Sequence, residues 1–335
     1  MKTYHLRDGV GLNQLFQVEA PEPAPGPGQV LIQMKAWSLN YRDLLVMGGK
    51  YSNRLPNPLV PLSDGVGEIA DCNGDVHGLK KGQRVACLFF PDWHEGNLTG
   101  EKTKRALGAN DQGVLAERVV ANASAVIPVP EHLSHEEAAC LPCAGLTAWN
   151  ALFHSHSQVQ SKTVLIMGSG GVSLFGLQFA KSAGWKVAAV SRREESLDRM
   201  KTMGLDYGVC SRKTPSWGEA IRSWSQGGVD QVLELGGGAT LPQSLRAVRV
   251  GGEISLIGIL GGADQEFNPL PVIMKGLALR GIFVGSKDMF QQMNTAISGQ
   301  GIKPVIDRVF PFSEVKEALA FLEKGNHFGK ICIAH

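Results

Sequence analysis

Residues 164–173 read Val-Leu-Ile-Met-Gly-Ser-Gly-Gly-Val-Ser, an apolar run that breaks into glycines and resumes as an apolar-periodic segment. Val172, Phe175, Gly176, Phe179, Ala180 and Ala183 recur at helical spacing, and a second apolar run, 187–190, follows about a helix later. Strand, glycine turn, helix and strand in this order are what a dinucleotide-binding fold requires. Gly168 allows the tight turn, and Gly170 lets the backbone approach a pyrophosphate. Ser169, Gly171 and Val172 complete the turn into a helix whose free N–H groups and positive dipole end suit that anion. Ser173 stands where a third glycine is usual, and is small enough for close helix–strand packing.

A chain of 335 residues exceeds one ordinary core and predicts two domains. Its 43% hydrophobic and 19% charged content excludes a disordered chain. A net charge of +2 without a long basic run gives no case for nucleic acid; Lys102-Thr103-Lys104-Arg105 is short and reads as a solvated loop. No stretch reaches the ~18 apolar residues of a membrane helix, so no membrane partner is expected. Residues 1–8 carry no secretory pattern, and six cysteines are too sparse for a disulfide scaffold. A cytoplasmic, reduced protein is the default expectation.

Up to about residue 125 the chain reads as short strands between turns, with candidates at 29–36, 67–72 and 84–89, and an irregular loop at 92–113. Ser134 and Glu137 have capping-box spacing and lead into a predicted helix over 138–152. From residue 163 strands (164–167, 187–190, 229–235, 253–257, 279–284) alternate with helices, two of them beginning at Ser216 and Ser286. That alternation predicts an α/β fold with a parallel, doubly wound sheet. A tail strand (305–310), helix (313–324) and strand (330–334) follow, and a tail strand can rejoin the first domain.

Five segments then matter together: Ser38-Leu39-Asn40-Tyr41-Arg42-Asp43, Pro61-Leu62-Ser63-Asp64-Gly65-Val66-Gly67-Glu68, Lys80-Lys81-Gly82-Gln83-Arg84-Val85, Leu141-Pro142-Cys143-Ala144-Gly145-Leu146-Thr147-Ala148-Trp149 and the turn at Gly168. With these in order, the chain resembles the medium-chain dehydrogenase/reductase superfamily, in particular its zinc-independent quinone-oxidoreductase-like branch, over essentially its whole length. The resemblance implies a GroES-like, mostly-β catalytic domain over 1–125, with 300–335 returning to it, and a Rossmann dinucleotide-binding domain over 126–299.

Many members hold a catalytic zinc with cysteine, histidine and a second cysteine or carboxylate. The matching positions here fall near Asn40 and at Leu62-Ser63-Asp64, leaving Cys143 as the one retained ligand type. One thiol and one carboxylate do not make a three-ligand site. The family's four-cysteine lobe is also missing, since 90–114 has no cysteine. Cys140-x-x-Cys143 and His154-x-His156 each have a structural or solvated reading beside a metal one, and His94-Glu95 lies in the wrong segment. The expectation is no bound metal.

An NAD-selective site places an acidic residue at the end of the second strand. Here Val190 is followed by Ser191-Arg192-Arg193, a hydroxyl and two guanidinium groups that suit a 2′-phosphate, so NADPH is the expected cofactor. Two other readings stand: pairing of the arginines with Glu194 and Glu195, and arginines facing solvent. Arg212 is either a third cation near the adenosine end or a surface residue. Gly236, Ile257-Gly258-Ile259 and Phe283-Val284-Gly285 follow three predicted strands; the resemblance implies that they line the ribose and nicotinamide, while the residues alone fit ordinary loops equally well.

Reduction of a carbonyl or enone develops negative charge on oxygen, which needs a hydrogen-bond or proton donor. Without zinc the candidates are Asn40, Tyr41 and water. Asp43 and Arg42 would orient that segment through an ion pair, and Asp64 is a second carboxylate for the substrate. Tyr41 equally fits a packing role, and Asp43 a turn. Thr147 matches a family position near the nicotinamide carboxamide; by itself it is a helix threonine bonding its own backbone. Lys330 either reaches the cofactor from the tail or is a surface lysine. The resemblance thus implies an NADPH-dependent reductase of a small-molecule quinone, activated enone or aldehyde. Alcohol oxidation with the same cofactor, and a non-catalytic, crystallin-like NADPH-binding protein, are the alternatives. It also implies a homodimer, formed through an edge strand at 279–284.

Overall fold

The turn-punctuated apolar runs early in the chain fold into sheet. Gln29–Ser38 is its central strand, pairing antiparallel with Asp64–Asn73, with Arg118–Asn122 and with the tail strand Lys330–Ala334. Arg84–Cys87 and Val126–Pro128 extend the sheet on one side, and Ile306–Pro311 lies parallel to the tail strand on the other. Lys2–Leu6 and Leu15–Glu19 form a separate antiparallel pair. The computed structural model describes residues 1–7, 9–51, 55–76, 78–154, 163–262 and 266–335. Trp37, Ile32, Met34, Leu62, Phe312, Leu319 and Ile333 form the centre of this unit's core, so the tail is integral to it.

The chain divides into residues 1–146 with 284–335, and residues 147–283. Both boundaries lie inward of those expected at 125 and 300. Val126–Pro128 is a member of the first sheet. The helix Lys287–Gln300 is tied to the same unit, where Lys287 Nζ donates to the Ser124 carbonyl at 2.7 Å and Asn294 Nδ2 to that of Pro128 at 3.0 Å.

In the second unit, six parallel strands run in the spatial order Tyr207–Cys210, Lys186–Ser191, Thr163–Met167, Val229–Glu234, Val248–Leu256 and Ala278–Gly281. In chain order this is 3-2-1-4-5-6, the doubly wound arrangement in which order reverses beside the first strand. Val164, Leu165 and Ile166 are wholly buried, as strands covered on both faces must be. The helix Gly171–Ser182 buries Phe175, Gly176, Phe179 and Ala180, the periodic residues of the sequence, and a Cβ on Gly176 would lie 2.9 Å from Leu233.

Some local expectations change. The helix expected over 138–152 is broken into His135–Ala139, a π-turn Leu141–Gly145 and Leu146–Phe153, because Pro142 cannot donate to a helical ladder. Ser134 and Glu137 do form the reciprocal capping box, at 3.1 and 2.8 Å. Ser216 precedes the helix Trp217–Trp224 without capping it, its backbone at ψ 43° lying outside the extended region of an N-cap. The strand expected over 279–284 ends at Gly281, and Val284 turns into the left-handed region at φ 58°. The loop at 92–113 contains one short helix, Gly100–Thr103. Among the described residues no helix is long and apolar enough to cross a membrane.

Candidate active site

In the first unit, strand register brings distant polar residues together. Ser38 lies opposite Asp64 on one side and Cys332 on the other. Beyond it, Leu39 N–H donates to the Ile331 carbonyl at 2.9 Å, and Asn40 caps the helix Tyr41–Met47. Asn40 therefore follows the strand end where Asp64 begins and Lys330 enters. The Lys330 ammonium donates to the Leu39 carbonyl and, at 2.6 Å, to Asn40 Oδ1. Lys330 is 4% exposed, so it is not the surface lysine of one sequence reading.

Both carboxylates are buried. Ser63 Oγ donates to Asp64 Oδ1 at 2.8 Å, and Cys143 N–H to Asp64 Oδ2 at 3.2 Å. Burial pushes the Asp64 carboxyl up, against Lys330, the Asn40 amide, Ser63 and Arg42, which favour its ionised form. Although the Asn40 amide is near enough to act on Asp64, its Nδ2 completes no hydrogen bond. Asp43 Oδ2 accepts from the Asn40 backbone N–H at 2.8 Å, fixing the helix start, and Oδ1 lies 3.6 Å from Arg42. Arg42 in turn donates to the Leu107 carbonyl and lies over the rings of Tyr51 and Phe89. Tyr41 is not part of the cluster; as the first helical residue it is 45% exposed.

Burial raises the Asp43 carboxyl to about 6, against Arg42, the Asn40 N–H and Lys330, with Asp64 adding to the rise. A carboxyl raised on folding contributes stability below its unfolded value near 4, and that contribution is lost as pH rises through about 6. Asp43→Asn keeps an acceptor for the Asn40 N–H but cannot ionise. Its stability relative to the wild type should therefore improve by on the order of 2 kcal/mol between pH 4 and pH 7. Denaturant unfolding of both proteins across that range checks this; a difference that does not vary with pH would reject it.

The donor set does not fit zinc. Among the described residues no group of three or more His, Cys, Asp or Glu side chains converges as metal ligands. Burial and the Asp64 carboxylate raise the Cys143 thiol, and Lys330 places a cation beside Asp64. Cys140 faces Cys332, with sulfurs 3.5 Å apart, and does not pair with Cys143. His94 Nε2 lies 3.0 Å from the Pro91 carbonyl. Of His154-x-His156, the second histidine lies outside the described residues.

In the second unit most of the expected nucleotide residues follow the carboxyl ends of the parallel strands, whereas Val284, Gly285 and Lys330 belong to the first unit. Gly168, at φ 72°, makes the turn after Thr163–Met167. Gly170 is different: at φ −82° any residue fits its backbone, and a Cβ there would meet nothing within 4 Å. Its φ and its surroundings do not require a glycine, although an N-cap favours one over alanine, and the space beside it is open. It caps the twelve-residue helix opened by Gly171 and Val172 with no side-chain bond to the first N–H groups, the arrangement that suits a pyrophosphate. Ser173 is buried and donates from its hydroxyl to the Met167 carbonyl, closing the turn that a third glycine would otherwise pack. Gly236, Gly258 and Gly285 have structural reasons, because a Cβ would strike Thr240, the Leu235 carbonyl or Leu146.

Ser191 ends the second strand, opposite Cys210. Arg193 N–H donates to Ser191 Oγ at 3.1 Å, and Arg193 Nη2 to Ser169 Oγ at 3.2 Å, which ties this segment to the glycine turn. Arg192 and Arg212 are exposed, and their guanidinium groups have no partner among the described residues. Glu194 pairs with Lys213 at 2.6 Å and not with an arginine, which removes it from the pairing reading. Ile259 and Phe283 are exposed at neighbouring strand ends, Ile257 is partly buried, and Thr147 is buried on the helix Leu146–Phe153. Sequence reading missed Glu234, whose buried carboxylate accepts from the N–H groups of Gly236 and Gly237 at 2.8 and 3.1 Å and shapes that loop. A lone acid ending a strand before three glycines was the available signal.

Comparison with known proteins agrees with this architecture. Residues 26–131 match the alcohol dehydrogenase GroES-like domain, and residues 171–299 the zinc-binding dehydrogenase family. A zinc-type alcohol dehydrogenase-like protein of Schizosaccharomyces pombe is 40% identical over 98% of both chains. The quinone oxidoreductase of Rattus norvegicus is 29% identical, covering 90% of this chain and 88% of its own. A crystal structure of a putative alcohol dehydrogenase from Sinorhizobium meliloti 1021 superposes with a TM-score of 0.92 at 37% identity, over all of this chain and 98% of that one.

Proposed function

Because the chain belongs to the medium-chain dehydrogenase/reductase superfamily, and is an oxidoreductase of that type, we propose that it uses NADPH, without zinc, to reduce a quinone, an activated enone or an aldehyde. The family's nicotinamide cofactor supplies the hydride. The observation that carries the metal-free reading is the buried Asn40–Lys330–Asp64 cluster, which offers a hydrogen-bond donor and a fixed cation and no converging set of metal ligands among the described residues.

In this reading the second unit binds the cofactor. The open space at Gly170 and the uncapped N–H groups of the Gly171–Ser182 helix take the pyrophosphate, and Arg192 and Arg212 take the 2′-phosphate. Ile257, Ile259 and Phe283 supply apolar surface for the nicotinamide end. In the first unit Asn40 Nδ2 donates to the acceptor's oxygen as charge develops there. Asp64 and Lys330 hold Asn40 in place, and Asp43 fixes the helix it begins.

Chelator-treated protein should oxidise NADPH in the presence of a quinone, followed by loss of nicotinamide absorbance. Activity that appears only when zinc is restored would overturn the metal-free reading. The names of the relatives favour a second reading, alcohol oxidation; faster turnover of an alcohol with NADP than of any quinone, enone or aldehyde with NADPH would select it. We also propose a cytoplasmic homodimer. Ala278–Gly281 is an edge strand of its sheet, and Leu270, Ile273 and Met274 on the preceding helix are exposed. Light scattering should give about twice the 35.9 kDa of one chain; a monomer would refute the dimer.

A further inference from the structure

Lys330 is buried, yet its position is set by backbone and not by chance packing. Its N–H donates to the Val305 carbonyl at 2.8 Å, and its strand is hydrogen-bonded on both sides, to Ile306–Pro311 and to Gln29–Ser38. Gly329 before it lies at φ 96°, where a Cβ would sit 2.2 Å from the Val305 carbonyl, so the chain enters the strand in one way. From this anchor the ammonium meets the Leu39 carbonyl and Asn40 Oδ1. An ammonium has three donors and no acceptor. Only the oxygen of a carboxamide can face it, so the Lys330 contact decides which way the Asn40 amide is turned. The consequence is visible at the other atom: Asn40 is 8% exposed, and its buried Nδ2 is turned to the Asp64 carboxylate without completing a hydrogen bond to it. A buried amide donor left short of a full bond is costly, and keeps the capacity to donate to an acceptor brought beside it.

We infer that Lys330 is a positioning residue, which holds the Asn40 carboxamide so that its Nδ2, and never its oxygen, is presented to the acceptor oxygen that gains charge during reduction. This deepens the proposed reaction and rests on it for the identity of the oxygen. With the ammonium gone, the amide is free to turn over, and its oxygen then opposes the charge that its nitrogen would have stabilised. Lys330 thereby acts through Asn40, and its worth disappears when Asn40 is absent.

The test is a double-mutant cycle on the holoenzyme with a quinone acceptor. Asn40→Ala should lower kcat about 100-fold, the usual effect of losing one such donor, and Lys330→Met about 30-fold. The double variant should be no slower than Asn40→Ala alone, and NADPH affinity, read from nicotinamide fluorescence, should stay within about twofold throughout. Losses that multiply, or a Lys330→Met variant that loses NADPH affinity while keeping kcat, would overturn the inference. If Lys330→Met does not accumulate as folded protein, Lys330→Gln, whose amide offers Asn40 an acceptor as well as a donor and so no longer fixes its orientation, takes its place in the cycle. Should the wild type reduce no acceptor, the proposed reaction fails, and the amide itself decides the inference about Lys330. In protein labelled with 15N-asparagine, the side-chain NH2 pair lost in Asn40→Ala should move in the Lys330 variant; a pair that stays in place would overturn it.

Discussion

Gly170→Ala should lower the melting temperature by no more than a few degrees, the cost of alanine at a helix N-cap, and weaken NADPH binding by about 10- to 100-fold. The expectation rests on a separation seldom available at a glycine turn. Gly168 needs its glycine, because φ is 72°, and Gly176 needs it for contact with Leu233. Gly170 needs it for neither reason: its φ of −82° suits alanine, and the added methyl would touch no protein atom within 4 Å. An alanine here gains slightly through the unfolded chain and loses a comparable amount as a poor N-cap, so the net change in stability is small. Against a bound pyrophosphate, the same methyl is an overpacked contact, which costs about 1–3 kcal/mol and corresponds to the stated loss of affinity. Thermal melting without cofactor and fluorescence titration with it are the two measurements. Affinity unchanged at equal stability would show that nothing approaches this backbone, and the pyrophosphate would have to lie elsewhere.

Arg192→Ala should weaken NADPH about 10- to 100-fold and leave NADH unaffected. Hydrogen bonds to a charged group contribute about 1.5–3 kcal/mol, and NADH lacks the phosphate that would receive them. Arg192 is the informative choice because it is exposed with no partner among the described residues, so its removal breaks nothing else. Arg193 is already bonded to Ser169, and its loss would mix cofactor and loop effects. Arg212→Ala should act in the same direction and more weakly, since Arg192 follows the strand whose end defines the adenosine site. Titrating both cofactors against each variant decides the matter: equal weakening of NADH and NADPH, or no change in either, would remove the 2′-phosphate contact.

The second unit was legible because its signals are local. A strand, a glycine turn and an amphipathic helix lie within about twenty residues at 163–182, and each is dictated by neighbours in sequence. Elements at 253–257 and 279–284 were found with displaced ends, since pairing partners and the left-handed turn at Val284 decide where a strand stops. The π-turn at Leu141–Gly145 could be suspected from Pro142, although its form depends on packing. In the first unit the motif residues Asn40, Asp43 and Asp64 were identified by type. Tyr41, equally prominent in sequence, emerged exposed because the first residue of a helix capped by Asn40 turns away from the carboxylates that its neighbours bury.

By itself, then, the sequence determined the parallel nucleotide-binding sheet, the turn that opens it and the cations after its second strand, all properties of short-range spacing. Only the tertiary structure decided where Lys330 lies and what it touches. It stands 290 positions from Asn40, and no periodicity or motif couples residues that far apart. What couples them is a sheet in which the tail strand returns beside Gln29–Ser38. Burial there removes competing water, so an ammonium, an amide and two carboxylates must satisfy one another, and Asn40 Nδ2 and Asp43 Oδ1 are left without a completed hydrogen bond.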